Sequence, residues 1–236
     1  KSPKITRIES FHHGEYPNLA FVKIHTDDGL FGVGETPGSP APVHAFIHAD
    51  AADYLLGKDA SQLDLHWSNL AKMAGGMRAR GAEMRALSAI DIALWDLFGK
   101  RVGEPVYNLL GGLSRNKIKV YNTCVGYPFY MDRTEGPKPG SPDYVPKGPY
   151  DDAYASLIDP VGLAESLHAD GFRAMKIWPF SQFAAKTNGQ FISLEDLEAG
   201  TEPFRLIHEA MGDQMEVAVE MTQSWNLPSA IKIAQA

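Results

Sequence analysis

Cysteine occurs once in the 236 residues, at Cys124, so no internal disulfide framework exists and a reducing compartment is expected. No apolar run reaches the roughly 18 to 20 residues needed to span a bilayer. The stretch KSPKITRIES at the N-terminus lacks the apolar core of a signal peptide. Lys and Arg form no stripe in a chain of net charge −7, which argues against nucleic acid and anionic membrane surfaces as partners. No strand runs into a G-x-G-x-x-G turn. The nearest string, GVGETPG, joins a hairpin to a loop, so a dinucleotide fold is disfavoured. What remains, with 44% hydrophobic and 22% charged residues, is the composition of a globular protein, expected in the cytoplasm.

The first third reads as strands and then helices. KITRIESF alternates, LAFVKIHT runs into Asp28-Gly29, and LFGVGE follows; Asp-Gly between two apolar runs is a strong hairpin signal. PVHAFIHADAADYLLG predicts a helix or helix pair. Leu87, Ile90, Leu94 and Leu97 then repeat at helical spacing, with Gly99 expected as the C-terminal cap. Strands first and helices afterwards indicate an α+β unit over residues 1–115.

From residue 116 the grammar changes. NKIKVYNTCVG predicts a strand, followed by a segment with six prolines between Pro128 and Pro149. PVGLAESLHADG predicts a helix, FRAMKIW a strand, EPFRLIHEAMG a helix, MEVAVEM a strand, and PSAIKIAQA the start of another helix. Gly171 and Gly212 stand where caps belong. This alternation indicates βαβ units and a parallel sheet over 116–236. The long β-to-α connections, 126–155 and 179–200, fall on the face where the strands end, and loops of that length are expected to be lid-like.

Period-two alternation puts Lys176 and Trp178 on one face of their strand, with Ile177 opposite. The same rule groups Ala218, Glu220 and Thr222 on the next strand, leaving Val217, Val219 and Met221 on the other side. Consecutive parallel strands lie about 5 Å apart, so an ammonium and a carboxylate meet at the strand ends. They form either a structural ion pair or a site that reaches one small substrate or ion. A carboxylate beside an apolar run is costly unless paired or bound.

Four segments, in order, resemble one family. DDGLFGVGE (27–35) and SAIDIALWDLFGKRVGEPVYNLLGG (88–112) resemble the N-terminal capping domain of the enolase superfamily, mandelate racemase/muconate lactonizing enzyme type. AMKIWPF (174–180) resembles its second barrel strand, and VAVEMTQSWNLPSAIKIA (217–234) its third. The resemblance implies an α+β capping domain followed by a β/α (TIM-type) barrel, of which only the first strands are present. It implies an enzyme that abstracts the proton next to a carboxylate, with Mg²⁺ stabilising the enediolate. Glu220 matches the first metal ligand and Lys176 the first lysine of the Lys-x-Lys motif. Mg²⁺ takes oxygen ligands, usually a few carboxylates plus substrate and water, and an α-proton beside a carboxylate is acidic enough only when the developing charge is neutralised.

Trp178 replaces the motif's second lysine, and an indole takes up no proton at neutral pH. Lys176 is then an electrophile that polarises the substrate carboxylate, or the base itself with a lowered pKa, or the base is a histidine on a later strand. Thr222 stands where some acid-sugar dehydratases of the group carry a histidine. One-base dehydration is therefore expected ahead of two-base racemisation. FHHGEYPN (11–18) and AGGMRARG (74–81) match the regions where the capping domain covers the active site. There His12, His13 and Arg78 are candidate substrate contacts, set against the plain reading of solvated loop side chains. Trp225 either lines the pocket or packs on the helix that Pro228 opens. His44 and His48 have zinc-compatible spacing but no third ligand nearby, and Cys124 is expected to fill the barrel wall.

A β/α barrel closes with eight strands, and three are visible here. The sequence stops inside an amphipathic helix without a stop signal, so continuation of the polypeptide is expected. The expected function is Mg²⁺-dependent dehydration of a sugar acid to a 2-keto-3-deoxy acid, in a homo-oligomer whose partner is a small-molecule carboxylate. The alternatives are a racemase, epimerase or cycloisomerase on the same scaffold, and a non-catalytic binding or oligomerisation module.

Overall fold

The computed structural model describes residues 2–14, 16–38, 40–75, 80–126, 144–145 and 151–236. The chain forms two compact units, Lys1–Asn116 and Lys117–Ala236.

In the first unit, β1 (Ile5–His13), β2 (Tyr16–Thr26) and β3 (Phe31–Pro37) form an antiparallel sheet in sequential order. On β2 every second residue, Ala20, Val22, Ile24 and Thr26, is buried, as period-two pleating requires of a sheet covered on one face. Asp27, Asp28 and Gly29 make the hairpin loop: Thr26 donates its N–H to the Leu30 carbonyl at 3.0 Å, and Gly29 takes φ +85°. A left-handed third loop residue is what such a three-residue connection requires. The covering layer begins with α1 (Pro40–Phe46), which continues through a π-helical turn at Ile47–Ala51 into α2 (Ala52–Leu55). It is completed by α3 (Leu63–Met73), α4 (Ala82–Val102) and α5 (Val106–Leu109).

The alternating glycines of LFGVGE explain how α4 docks. A Cβ on Gly32 would stand 1.9 Å from the Ala93 carbonyl oxygen, and one on Gly34 1.9 Å from that of Ala89. Helix and strand thus touch backbone to backbone, while Leu87, Ile90, Leu94 and Leu97 fill the core with Ile5, Val22, Ile24 and Leu55. Gly99 is not the cap. The helix runs on to Val102 and is closed by Gly103 at φ +73°. Gly99 lies inside it because the exit turn folds back, bringing the Glu104 carbonyl to 2.8 Å from where a Cβ would be.

The second unit holds a parallel pair, β4 (Ala174–Ile177) beside β5 (Glu216–Val219), in the register Lys176↔Ala218. The strand expected over 116–126 is reduced to one parallel bridge, Asn122↔Met175. Cys124, at φ +48°, turns the backbone out of the extended region just beyond it. Helices α6 (Asp152–Ile158), α7 (Pro160–Ala169), α8 (Ser181–Thr187), α9 (Leu194–Met211) and α10 (Leu227–Ala234) complete the unit. Met175 and Ile177 pack with Leu163, Leu167 and Ile207 under the sheet. Helix α9 starts eight residues before the expected Glu202, because Ser193 caps the Asp196 N–H at 3.0 Å and the interior Pro203 is tolerated.

The connection 179–200 is not an open loop. It contains α8, and Phe180 and Ile192 are buried with Ile233 in a small core of their own. Of 126–155, residues 127–143 and 146–150 lie outside the described residues. No helix among the described residues is long and apolar enough to cross a membrane.

Candidate active site at the strand ends

β4 and β5 carry their polar groups to the same end. Met175 and Ile177 face the core, so Lys176 between them faces the other way. β5 stops at Val219, and one residue later the backbone N–H of Glu220 still donates to the Ile177 carbonyl at 2.9 Å. This last rung fixes Glu220 opposite the end of β4. Lys176 Nζ donates to Glu220 Oε2 at 3.0 Å, with side chains 17% and 28% exposed. The other oxygen, Oε1, accepts the Thr222 N–H at 2.8 Å.

That amide first, and the ammonium second, hold the Glu220 carboxyl below its usual range. Burial alone would lower Lys176, but the hydrogen bond and charge of Glu220, helped by Tyr121, outweigh it and keep the amine above its usual value. Both groups are charged, and Lys176 in this state is an ammonium rather than a base.

Thr222 does not continue the strand alternation. It sits at φ +48° and Gln223 at φ +58°, a left-handed pair that bends the chain and turns the Thr222 amide back onto Glu220. Its hydroxyl lies 2.7 Å from that of Ser224. Trp178 has the place expected of it beside Lys176: its ring centroid is 5.1 Å from Nζ, and its Nε1 donates to the Thr123 carbonyl at 2.7 Å. Trp225 packs against the Phe180, Ile192 and Ile233 cluster, with Nε1 buried and without a hydrogen-bond partner among the described residues.

Residues that alternation did not reveal complete the surroundings. The Tyr121 ring lies 5.5 Å from Lys176 Nζ. Asn122 Oδ1 accepts the Cys124 N–H at 2.6 Å. Asp152 follows the proline-rich segment, and burial raises its carboxyl above the usual range. None of these had a sequence signal: Tyr121 and Asn122 sat within an expected strand, and Asp152 within an expected loop. Cys124 is buried under the sheet, and burial pushes its thiol up to about 12; it is packing, not a nucleophile.

The remaining candidates belong to the first unit. His13 ends β1, with its ring 5.5 Å from that of Tyr16. Arg78 lies outside the described residues. Ser10 joins His44 Nδ1 at 2.6 Å and His48 Nε2 at 2.8 Å, and His12 lies 5.9 Å from His44 ring to ring. The two helical histidines therefore share a serine.

For Mg²⁺ the strand ends offer one fitting donor among the described residues. Glu220 is a partly exposed carboxylate whose Oε2 meets Lys176 and whose Oε1 meets the Thr222 N–H. Among the described residues no group of three or more His, Cys, Asp or Glu is placed to hold a metal ion. Glu220 fits as a single oxygen ligand, and an octahedron needs further donors.

The chain is similar to known proteins along most of its length. The model of the mandelate racemase / muconate lactonizing enzyme N-terminal domain matches residues 4–111, and that of the enolase C-terminal domain-like family residues 161–236. The D-galactonate dehydratase of Xanthomonas euvesicatoria pv. vesicatoria is 42% identical over 125 residues, covering 52% of this chain and 32% of its own. That of Pectobacterium atrosepticum is 43% identical over the same length and shares. A solved enolase of the mandelate racemase subgroup from Agrobacterium tumefaciens is 38% identical with TM-score 0.79, covering 98% of this chain and 53% of that one. An enolase protein from Sargasso Sea environmental sequencing is 38% identical with TM-score 0.81, at 98% and 54% coverage. The chain thus spans about half the length of these solved structures, and the matched segment about a third of the curated dehydratases.

Proposed function

The chain belongs to the mandelate racemase/muconate lactonizing enzyme group of the enolase superfamily, and from that premise we propose that it serves as a Mg²⁺-dependent acid-sugar dehydratase. The substrate is a 2,3-dihydroxy acid and D-galactonate is the first to test, because the relatives of that name align over half of this chain. The C2–H and C3–O bonds break, the C2 proton and the C3 hydroxyl leaving together as one water, and the resulting enol tautomerises to the 2-keto-3-deoxy acid.

The observation that carries the reading is the ammonium and carboxylate brought within 3.0 Å at the ends of adjacent strands. Glu220 would hold Mg²⁺, together with further oxygen donors. When bound, the ion supplies positive charge to offset the negative charge that develops on the substrate carboxylate. Lys176 supplies a second cation from the neighbouring strand, hydrogen-bonding the same carboxylate. Trp178 and Thr222 flank the pair as substrate contacts. The indole at 178 offers no second base, which favours dehydration over two-base racemisation.

The test is incubation with a sugar-acid panel, with and without Mg²⁺, scored for 2-keto acid and for stereochemical change. Keto-acid formation from D-galactonate or a related acid that depends on Mg²⁺ is the expected result. Epimerised acid without water loss would replace dehydration by the isomerase reading, and no conversion in either sense would overturn the catalytic reading.

A further inference from the structure

We propose that Tyr121, together with Trp178, is a positioning residue that holds the Lys176 ammonium at the strand ends independently of Glu220. The Lys176 Nζ lies over both rings, 5.1 Å from the Trp178 centroid and 5.5 Å from that of Tyr121. Both distances are inside the roughly 6 Å at which a ring face attracts a cation. The Trp178 indole is pinned to the Thr123 carbonyl at 2.7 Å, and Tyr121 adjoins the Asn122 bridge, where Lys176 N–H donates to the Asn122 carbonyl at 2.8 Å. Tyr121 is 53% exposed and contributes little to the core, so packing does not account for an aromatic there.

The need for such a clamp follows from charge. Lys176 now leans on Glu220 Oε2 at 3.0 Å. A divalent cation taken up by that carboxylate would repel an ammonium a few ångströms away. The lysine stem has four flexible carbons, and without another hold the ammonium would swing into solvent. The two ring faces provide a neutral seat that survives the loss of the carboxylate partner. The inference rests on the proposed function only for what the ammonium acts upon; whether it is held there is read without turnover.

The experiment uses the whole chain labelled at lysine Cε, with Lys176→Met identifying the Lys176 signal in a carbon–proton correlation spectrum. Ring currents from the two faces displace that signal upfield of the other lysines. Tyr121→Leu, or Tyr121→Gln should the leucine variant misfold, is expected to lose a large part of the displacement. Tyr121→Phe restores it, and Glu220→Gln or added MgCl₂ leaves it in place. An undisplaced Lys176 signal in the parent chain would overturn the proposal, as would a displacement unchanged in folded Tyr121→Leu. Abolition by Glu220→Gln alone would overturn it as well, by showing that the carboxylate and not the rings holds the lysine. A failure of sugar-acid turnover leaves all of these readouts standing.

Discussion

Lys176 and Glu220 occupy a setting between surface and interior, with side chains 17% and 28% exposed. In such a setting, removing one partner costs more than the intact pair contributes, because the other charge stays partly desolvated. Lys176→Met is therefore expected to destabilise the protein by about 1–2 kcal/mol in urea unfolding. The Lys176→Met, Glu220→Gln double variant is expected to recover part of that loss; strictly additive losses would show that the two do not interact. Thr222 departs from the period-two pattern that holds for Lys176 and Glu220. Alternation carried Lys176 and Glu220 to one place, but it assumes an extended backbone. A β-branched residue at φ +48° sits in a region such side chains rarely enter, and pattern gives no warning of it.

His44 provides the pH dependence. Burial first, and the neighbouring His12 and His48 second, hold it below the usual 6.5. A histidine depressed in the folded state contributes stability that is fully present above its unfolded value and lost as pH falls toward the folded one. The melting temperature is expected to drop as pH falls below about 6.5, with a shallower drop in His44→Gln. Parallel profiles for the two proteins would remove His44 from that role.

At the scale of elements, glycine sets how closely the pieces approach. Gly34 admits α4 onto β3, and Gly189, at φ +70°, admits the Ser224 carbonyl to 1.7 Å from where its Cβ would stand. The second contact staples the connection after β4 to the one after β5. Asn226 reinforces it by donating its N–H to the Gly189 carbonyl at 2.9 Å and its side-chain amide to the Gln190 carbonyl at 3.1 Å. Gly34→Ala and Gly189→Ala are each expected to cost about 3 kcal/mol in urea unfolding, the second with added left-handed strain. A loss within experimental error at Gly189 would mean that the two connections move apart readily. This staple is also why the lid expected over 179–200 is a packed segment. Its helix α8 spans only Ser181–Thr187, too short for a clear periodic signal, and its burial is against Ile233, a residue far along the chain. The long helices, by contrast, were legible in part: α4 from its leucine repeat though not its cap, and the ends of α7 and α9 from the glycines that follow them, though not the start of α9.

For the molecule as a whole, the order of elements was the readable part. An antiparallel hairpin sheet with a glycine-docked helix precedes parallel β/α units, and this is the N-terminal capping domain followed by part of the enolase barrel domain. The aromatic seat around Lys176 was not readable, because it joins residues 121, 176 and 178 through one isolated bridge. At the centre of the proposed function, Glu220 binds a divalent cation at the strand ends. Calorimetric titration of MgCl₂ into the parent chain and into Glu220→Gln tests this most directly, with circular dichroism to establish that both are folded. Mg²⁺ binding by the parent chain and its loss in the folded variant are the expected result; equal affinity in the two, or none in the parent, would remove Glu220 from a metal site.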